Sequence, residues 1–157
     1  MEEVGYCADP ARVRLIAGAR EALALARGAG FLNVIVSNQS GIARGYFTEA
    51  EYRAVQDELL RQIGSGLVDA SYFCPDAPDV LSERRKPAPG MLIEAARDFE
   101  IDLLRSFMVG DKDSDIECAR RAGTGAILVT TGYGASQNCD PDFRAAGPLD
   151  AAKWIVG

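Results

Sequence analysis

The 157-residue sequence contains no histidine. Nucleophiles of the Ser-His-Asp and Cys-His types and histidine-ligated zinc all need an imidazole, so the sequence excludes these chemistries. Lysine is scarce as well, and occurs only at Lys86, Lys112 and Lys153. Any catalysis must therefore rely on carboxylates, lysine, hydroxyl groups and backbone amides.

Long apolar runs and paired cysteines are also missing. No stretch approaches the roughly 18 apolar residues of a membrane span, and the four cysteines form no Cys-x-x-Cys pair. Residues 1–15 carry charges and a proline instead of the apolar core of a signal peptide. We therefore expect a cytoplasmic protein with reduced cysteines and no membrane partner. The net charge of -6 argues against a nucleic-acid partner, so an anionic ligand requires a local basic cluster.

Helical and extended segments alternate along the chain. Turn residues and apolar periodicity predict helices at about 19–27, 48–63, 90–99 and 114–122, and strands at about 31–36, 67–73, 107–109 and 126–129. This alternation predicts a single α/β domain with a parallel sheet. Ligands of such a domain collect where the carboxyl ends of the strands open into loops.

The first candidate site follows the strand that ends near Val36. Ser37, Asn38, Gln39 and Ser40 offer hydroxyl groups and backbone amides, which suit a phosphoryl group. An ordinary polar turn explains the same residues equally well, because serine, asparagine and glycine are common turn residues.

A basic cluster at Arg84, Arg85 and Lys86 is the second candidate. Lysine neutralises a phosphoryl oxygen as a point charge, and arginine holds two oxygens at once. Taken alone, such a run is more often a solvated surface turn.

The third candidate is acidic and occupies residues 110–115, after an apolar strand. Its carboxylates are hard oxygen ligands of the kind that Mg²⁺ prefers. A calcium-binding EF-hand is rejected, because Ile116 stands where that loop needs glycine. Asp111 and Asp115 are four residues apart and share a helix face, whereas Asp113 is assigned to charge compensation at the helix N-terminus.

These three segments, in this order, resemble motifs two to four of the haloacid dehalogenase (HAD) superfamily. Residues 37–45, 85–91 and 108–112 are similar to the subfamily of D-glycero-D-manno-heptose 1,7-bisphosphate phosphatase and histidinol-phosphate phosphatase. The resemblance runs from residue 3 to about residue 134. It implies a Rossmann-like α/β fold with three layers. It also implies a magnesium-dependent phosphomonoester hydrolase whose partner is a small phosphorylated metabolite, either a sugar bisphosphate or histidinol phosphate.

The resemblance also implies roles for individual residues. Ser37, Lys86 and Asp111 would be catalytic, with Asp111 as the Mg²⁺ ligand. Asp115 would support the metal site, and Lys112 would lie beside it without being a ligand. Arg44 would contact the far end of the substrate. The full phosphate- and substrate-binding set would be Ser37, Asn38, Gln39, Ser40, Arg44, Arg85 and Lys86.

The chain departs from the family pattern at the zinc loop. Cys74 is present, but Asp76, Ser82 and Arg84 stand where the family has its other zinc ligands. One thiolate cannot hold a structural zinc ion, so no zinc is expected.

A second departure concerns the family's first strand, which is central in the sheet and ends in Asp-x-Asp-Gly-Thr, the nucleophile and the general acid/base. The sequence contains no such motif, so we expect an N-terminally incomplete domain that is inactive in this form. A lost start and a natural loss both remain open. A phosphate-binding pseudoenzyme is the alternative function, and a response-regulator receiver is rejected because its acidic pair and acceptor aspartate are missing.

Without a central strand, the strands that end at Ser37 and Gly110 would leave backbone groups unpaired, at about 1 to 3 kcal/mol for each group. We therefore expect these two strands to pair directly, or the gap to be filled by the chain's own N-terminus or by self-association with a second copy.

Overall fold

Two parallel half-sheets form the centre of the molecule, whose computed structural model describes residues 6–157. In the first, β1 (Val34–Asn38) pairs with β2 (Ala70–Cys74). In the second, β4 (Gly125–Val129) lies between β3 (Phe107–Gly110) and β5 (Phe143–Ala145). Every pairing is parallel, which confirms the predicted α/β class with a parallel sheet.

In the described part of the chain, six α-helices surround the half-sheets. They are α1 (Ala19–Gly28), α2 (Ser40–Ala43), α3 (Glu49–Ile63), α4 (Gly90–Phe99), α5 (Asp113–Ala122) and α6 (Pro148–Val156). Short 3₁₀ turns lie at Pro10–Arg12, Leu103–Arg105 and Gly134–Ser136. Within residues 6–157, no helix is long and apolar enough to cross a membrane.

The helices that the sequence predicts are confirmed to within about one residue. The N-terminus of α3 forms a capping box, in which Thr48 Oγ1 accepts from the Glu51 N–H at 3.2 Å and Glu51 Oε2 accepts from the Thr48 N–H at 2.7 Å. The strands β1 and β2 begin at Val34 and Ala70, later than predicted. Asn33 and Asp69, the residues just before these strands, bond to each other. The Asp69 side chain accepts from the Asn33 N–H at 2.7 Å, and the Asp69 N–H donates to the Asn33 carbonyl at 2.8 Å.

Helices cover both faces of the second half-sheet. Along β4, Leu128 packs with Ile116 of α5, whereas its neighbour Ile127 packs with Ala151 of α6. This alternation is that of a strand buried on both sides. The helix α4 packs against β1 and β2, and α1 packs against α6. Helices therefore lie on both sides of the half-sheets, which is the three-layer arrangement that the sequence predicts.

A channel of about 960 Å³ lies between β1 and β3, which do not pair within the described residues. The expectation of direct pairing is therefore wrong. Helix contacts around the channel fix the distance between β1 and β3. The helix α1 packs against α6, and α4 also lines the channel. Residues 1–5, the N-terminal segment proposed to fill the gap, lie outside the described residues. Self-association stays a prediction.

The strands β1 and β3 run in the same direction. Near their amino ends, the rings of Phe31 and Phe107 lie 6.0 Å apart. Near their carboxyl ends, the Lys86 ammonium bonds both to the Val36 carbonyl of β1 and to Asp115, just after β3. The polar loops of both half-sheets therefore open at the same end of the channel.

Candidate active site

Lys86 connects the two half-sheets at the carboxyl end of the channel. Its Nζ donates to the Val36 carbonyl at 3.1 Å and lies 2.7 Å from Asp115 Oδ1. The side chain is only 12% exposed. Because an ammonium group has three protons, these two bonds leave one donor for a ligand.

Ser37 lines the same channel as Lys86 and is oriented by its neighbour. The side-chain amide of Gln39 donates from Nε2 to Ser37 Oγ at 2.6 Å, and the Gln39 backbone N–H donates to the Cys74 carbonyl at 2.7 Å. Since the Ser37 oxygen accepts the amide proton, its own hydroxyl proton is free to donate to an anion.

Asn38 faces the basic loop. Its side-chain amide forms two hydrogen bonds with the backbone of Lys86, each 3.0 Å long. This contact joins residues 48 positions apart and ties the basic loop to the end of β1.

The turn after β4 orients Asp111. The Tyr133 N–H donates to Asp111 Oδ2 at 3.1 Å, and Gly132 packs against the same carboxylate with φ +62°. A methyl group at Gly132 would collide with Asp111 Oδ2, so this position requires glycine for both conformation and space. Sequence reasoning missed this support, although the glycines on either side of Tyr133 mark a turn.

Asp115 is the most engaged carboxylate of the site. Its Oδ2 accepts from the backbone N–H groups of Asp111 and Lys112 at 3.1 and 3.2 Å, and its Oδ1 pairs with Lys86. Its side chain is 7% exposed. Both oxygens of Asp115 thus bond to Lys86 or to the backbone at the start of α5. The supporting role at the metal site that the sequence predicts for Asp115 stays a prediction.

Asp111 is the residue here that suits a metal ion. Within residues 6–157, no three carboxylate or thiol side chains gather in a metal-binding cluster. Magnesium nevertheless often uses one or two carboxylates together with waters and a substrate phosphate. Asp111 Oδ2 holds the Tyr133 N–H, and Oδ1 remains for a metal. The described residues thus fit part of a magnesium site. Lys112 points elsewhere, with Nζ 4.4 Å from the centre of the Tyr133 ring.

Arg85 lies on the other side of the basic loop. It lines a smaller cavity of about 220 Å³ with Lys86 and Arg121, and its Nη1 donates to the Asp76 carbonyl at 3.0 Å. A hydrogen bond from Ser82 holds the pKa of the Asp76 carboxyl below its ordinary value. Lys86 is therefore shared by both cavities, whereas Arg85 faces only the smaller one.

Arg44 and Ser40 lie outside both cavities. Ser40 begins α2, and Arg44 is exposed at its end. A hydrogen bond with Tyr46 raises the pKa of Arg44, and the ring of Tyr6 lies 4.8 Å from that of Tyr46. The structure thus groups Arg44 with two exposed tyrosines instead of with Ser37 and Lys86.

Hydrogen bonds hold the loop where the family resemblance places zinc. Cys74 Sγ donates to Asp76 Oδ2 at 3.3 Å and lies 3.5 Å from Ser82 Oγ. Arg84 pairs with Glu94 of α4 at 2.7 Å. These contacts organise the segment that leads to Lys86.

The arrangement is suited to binding an anion. Ser37 and Lys86 each have a proton to donate at the mouth of the channel, and the backbone groups nearby add further polarity. Asp111 lines the same channel and provides one carboxylate oxygen. Hydroxyl, ammonium and carboxylate at one opening are the groups that hold a phosphoryl group together with a divalent cation.

Comparison with known proteins identifies similar sequences. A model of the HAD-hydrolase-like family matches residues 83–150. The D-glycero-D-manno-heptose-1,7-bisphosphate 7-phosphatase of Thermosynechococcus vestitus is 40% identical, and the match covers 98% of this chain and 89% of that protein. The D-glycero-alpha-D-manno-heptose-1,7-bisphosphate 7-phosphatase of Burkholderia mallei is 35% identical, with coverage of 98% and 86%.

The fold has a similar counterpart among solved structures. The D,D-heptose 1,7-bisphosphate phosphatase of B. bronchiseptica, complexed with magnesium and phosphate, matches with a TM-score of 0.86 and 32% identity. The match covers 94% of this chain and 87% of that one.

Proposed function

Because the chain belongs to the HAD-like hydrolase family, together with the heptose bisphosphate 7-phosphatases, we propose that its site binds a phosphoryl group of D-glycero-D-manno-heptose 1,7-bisphosphate for hydrolysis. The named relatives support this substrate over histidinol phosphate, which the sequence resemblance left open. A small phosphorylated metabolite is therefore the proposed ligand.

One observation carries the proposal. Lys86 lies at the carboxyl ends of both half-sheets, bonded to Val36 of β1 and paired with Asp115 beyond β3. A largely buried cation that is held by two elements is preorganised, so it neutralises a phosphoryl oxygen without losing further side-chain entropy.

The residues divide the work at the phosphoryl group. Lys86 neutralises one oxygen, and the Ser37 hydroxyl donates to a second while Gln39 holds it in place. Asp111 is the residue that would hold magnesium, which when bound neutralises phosphoryl charge. Tyr133 keeps the Asp111 carboxylate aimed at the site through its backbone N–H.

A second candidate function is phosphate binding without turnover. Asp115 is engaged by Lys86 and two backbone N–H groups, so it is a poor nucleophile. Asp111 is the other carboxylate that lines the carboxyl end of the channel, and it is oriented by Tyr133 as a metal ligand. Under this second candidate, the 157-residue chain hydrolyses phosphomonoesters at the background rate while still binding them.

Binding and turnover are tested together on the 157-residue chain. Calorimetry with the heptose bisphosphate and with histidinol phosphate measures affinity, and release of inorganic phosphate measures hydrolysis. We expect the heptose bisphosphate to bind more tightly and Lys86→Ala to weaken this binding strongly without abolishing it. Lys153→Ala, which removes an exposed lysine of α6, is the matched control.

One outcome would contradict the proposed site, and another would decide between the two candidate functions. Equal binding by the wild type and Lys86→Ala would place the ligand elsewhere. Magnesium-dependent phosphate release that Asp111→Asn abolishes would reject binding without turnover and leave the phosphatase.

A further inference from the structure

We propose that Asn38 is a positioning residue, whose side chain fixes Lys86 on β1 and does not bind the phosphoryl group itself. This inference rests on the proposed phosphate site and gives Asn38 a role different from the one expected from the sequence. The two roles make different predictions for binding.

The contact between Asn38 and Lys86 uses both ends of the side-chain amide. Asn38 Nδ2 donates to the Lys86 carbonyl, and Asn38 Oδ1 accepts from the Lys86 N–H, with both distances at 3.0 Å. A backbone N–H only donates and a backbone carbonyl only accepts, so the orientation of the amide is unambiguous. The oxygen of Asn38 is thus committed to a protein donor.

Lys86 is consequently attached to β1 at both of its ends. Asn38 holds its backbone, and the Val36 carbonyl holds its ammonium group at 3.1 Å. The two anchor residues are two positions apart at the carboxyl end of β1. The side chain and the backbone of Lys86 are therefore both held by β1. This double attachment sets the direction of the remaining Nζ proton.

Asparagine is the residue that this contact needs. Alanine removes both hydrogen bonds, and aspartate keeps the acceptor for the Lys86 N–H but has no proton for the Lys86 carbonyl. A loss of two hydrogen bonds at a binding loop corresponds to about a tenfold loss of affinity when the bonds act only by holding the loop.

A double-mutant cycle separates positioning from direct contact. The association constant for inorganic phosphate is measured by calorimetry for the wild type, Asn38→Ala, Lys86→Ala and the double variant. We expect Asn38→Ala to weaken binding about tenfold in the wild type and by less than about twofold in the Lys86→Ala background. The same tenfold loss in both backgrounds would mean that Asn38 touches the anion directly, and would overturn the inference.

Asn138→Ala is the matched control, because it removes the same amide from an exposed position beyond the turn that holds Asp111. We expect its phosphate affinity to equal that of the wild type. An equal loss in Asn138→Ala and Asn38→Ala would also overturn the inference, since removal of any asparagine would then have the same effect.

Hydrogen exchange supplies a readout that does not depend on phosphate. We expect the Lys86 amide proton to exchange more than about tenfold faster in Asn38→Ala, and to keep most of its protection in Asn38→Asp, which retains the acceptor. Unchanged exchange at Lys86 in Asn38→Ala would overturn the inference. If the wild type binds no phosphate but Lys86 exchange responds as expected, the proposed function fails while the contact between Asn38 and Lys86 stands.

Discussion

The two half-sheets begin alike at their amino ends and differ at the edges that face each other. In the β1–β2 half, Asp69 stands just before the edge strand β2. Its Oδ2 accepts from the Asn33 N–H at 2.7 Å, its own N–H donates to the Asn33 carbonyl at 2.8 Å, and its Oδ1 accepts from Arg27 of α1 at 2.6 Å.

The other half repeats this arrangement. Asp142 stands just before the edge strand β5, and its Oδ2 accepts from the Ala126 N–H at 2.7 Å. The Asp142 N–H donates to the Ala126 carbonyl at 2.8 Å, and Arg120 of α5 pairs with the carboxylate at 2.8 Å. In both halves, the arginine belongs to the helix that precedes the inner strand. Each half is therefore fastened by its own helix, strand and loop.

The facing edges show no such repetition. The backbone N–H and C=O groups of successive β1 residues point alternately toward β2 and toward the channel, and those of Val34 and Val36 point toward the channel. The hydrogen bond from Lys86 to the Val36 carbonyl agrees with this direction. On the opposite wall, the backbone groups of Phe107 and Val109 also point to the channel. Each half-sheet is thus held together by its own contacts. The contact between the two half-sheets depends on Lys86 and on the packing of a few helices and aromatic rings.

The largest expected effect comes from breaking the ion pair that joins the halves. Asp115→Ala leaves Lys86 without its carboxylate in a buried position and frees two backbone N–H groups. We expect a loss of about 3 to 5 kcal/mol in the free energy of unfolding, measured by denaturant titration. Asp113→Ala, which removes an exposed carboxylate two residues away, is the control and should cost less than about 1 kcal/mol. Equal losses would show that Asp115 does not join the halves.

Filling the channel should strengthen the union of the halves. A peptide with an apolar strand followed by Asp-x-Asp-Gly-Thr offers backbone partners to both walls. At a hundred times its dissociation constant, a peptide that binds only the folded chain stabilises it by about 2.7 kcal/mol, which raises the melting temperature by about 5 to 10 °C. A peptide of the same composition with a central proline is the control. An unchanged melting temperature with both peptides would mean that the channel accepts no strand.

The same division between local and distant contacts explains what the sequence could predict. The capping box at Thr48 and the stop at Gly123, where φ is +80°, act within a few residues and are visible in the sequence. The strand β5 has only three residues, too few for a recognisable pattern, and depends on Asp142 and β4 for its place. The helix α6, which follows β5 after only two residues, was missed with it.

The site divides in the same way. The loops with Ser37, Lys86 and Asp111 follow predicted strands, and parallel strands bring their carboxyl ends together. The contacts that orient them are long-range and involve backbone groups, such as the bond from the Tyr133 N–H to Asp111 and the bonds between Asn38 and Lys86. Because every residue has the same backbone groups, sequence patterns carry little information about which of them will meet.

The paired aspartates allow a direct test of the repetition between the halves. Asp69→Asn and Asp142→Asn both keep an acceptor for the backbone N–H and both lose the charge that faces arginine. The carboxylate of Asp69 is 17% exposed and that of Asp142 is 37% exposed, so solvent screens the second pair more strongly. We expect losses of about 2 and 1 kcal/mol, respectively, in the free energy of unfolding. The reverse order would mean that the half-sheets are not fastened in equivalent ways.

The smallest effect is expected on α3, which lies between β1 and β2 in the chain and has no counterpart between β4 and β5. Hydrogen bonds from Arg61 and Gln62 lower the pKa of Glu58 to about 2, against about 4.3 in an unfolded chain. A carboxyl whose pKa is lower in the folded state stabilises the fold above pH 4.3 and loses this contribution as the pH falls toward 2.

Melting temperatures at pH 7, 5, 3 and 2 should therefore fall less steeply below pH 4 for Glu58→Gln than for the wild type. The two proteins should converge near pH 2. At pH 7 Glu58→Gln should be destabilised less than Asp142→Asn, because Arg61 is 72% exposed and lies only three residues from Glu58 in the same helix. A difference that persists unchanged to pH 2 would mean that the charge of Glu58 makes no contribution to α3.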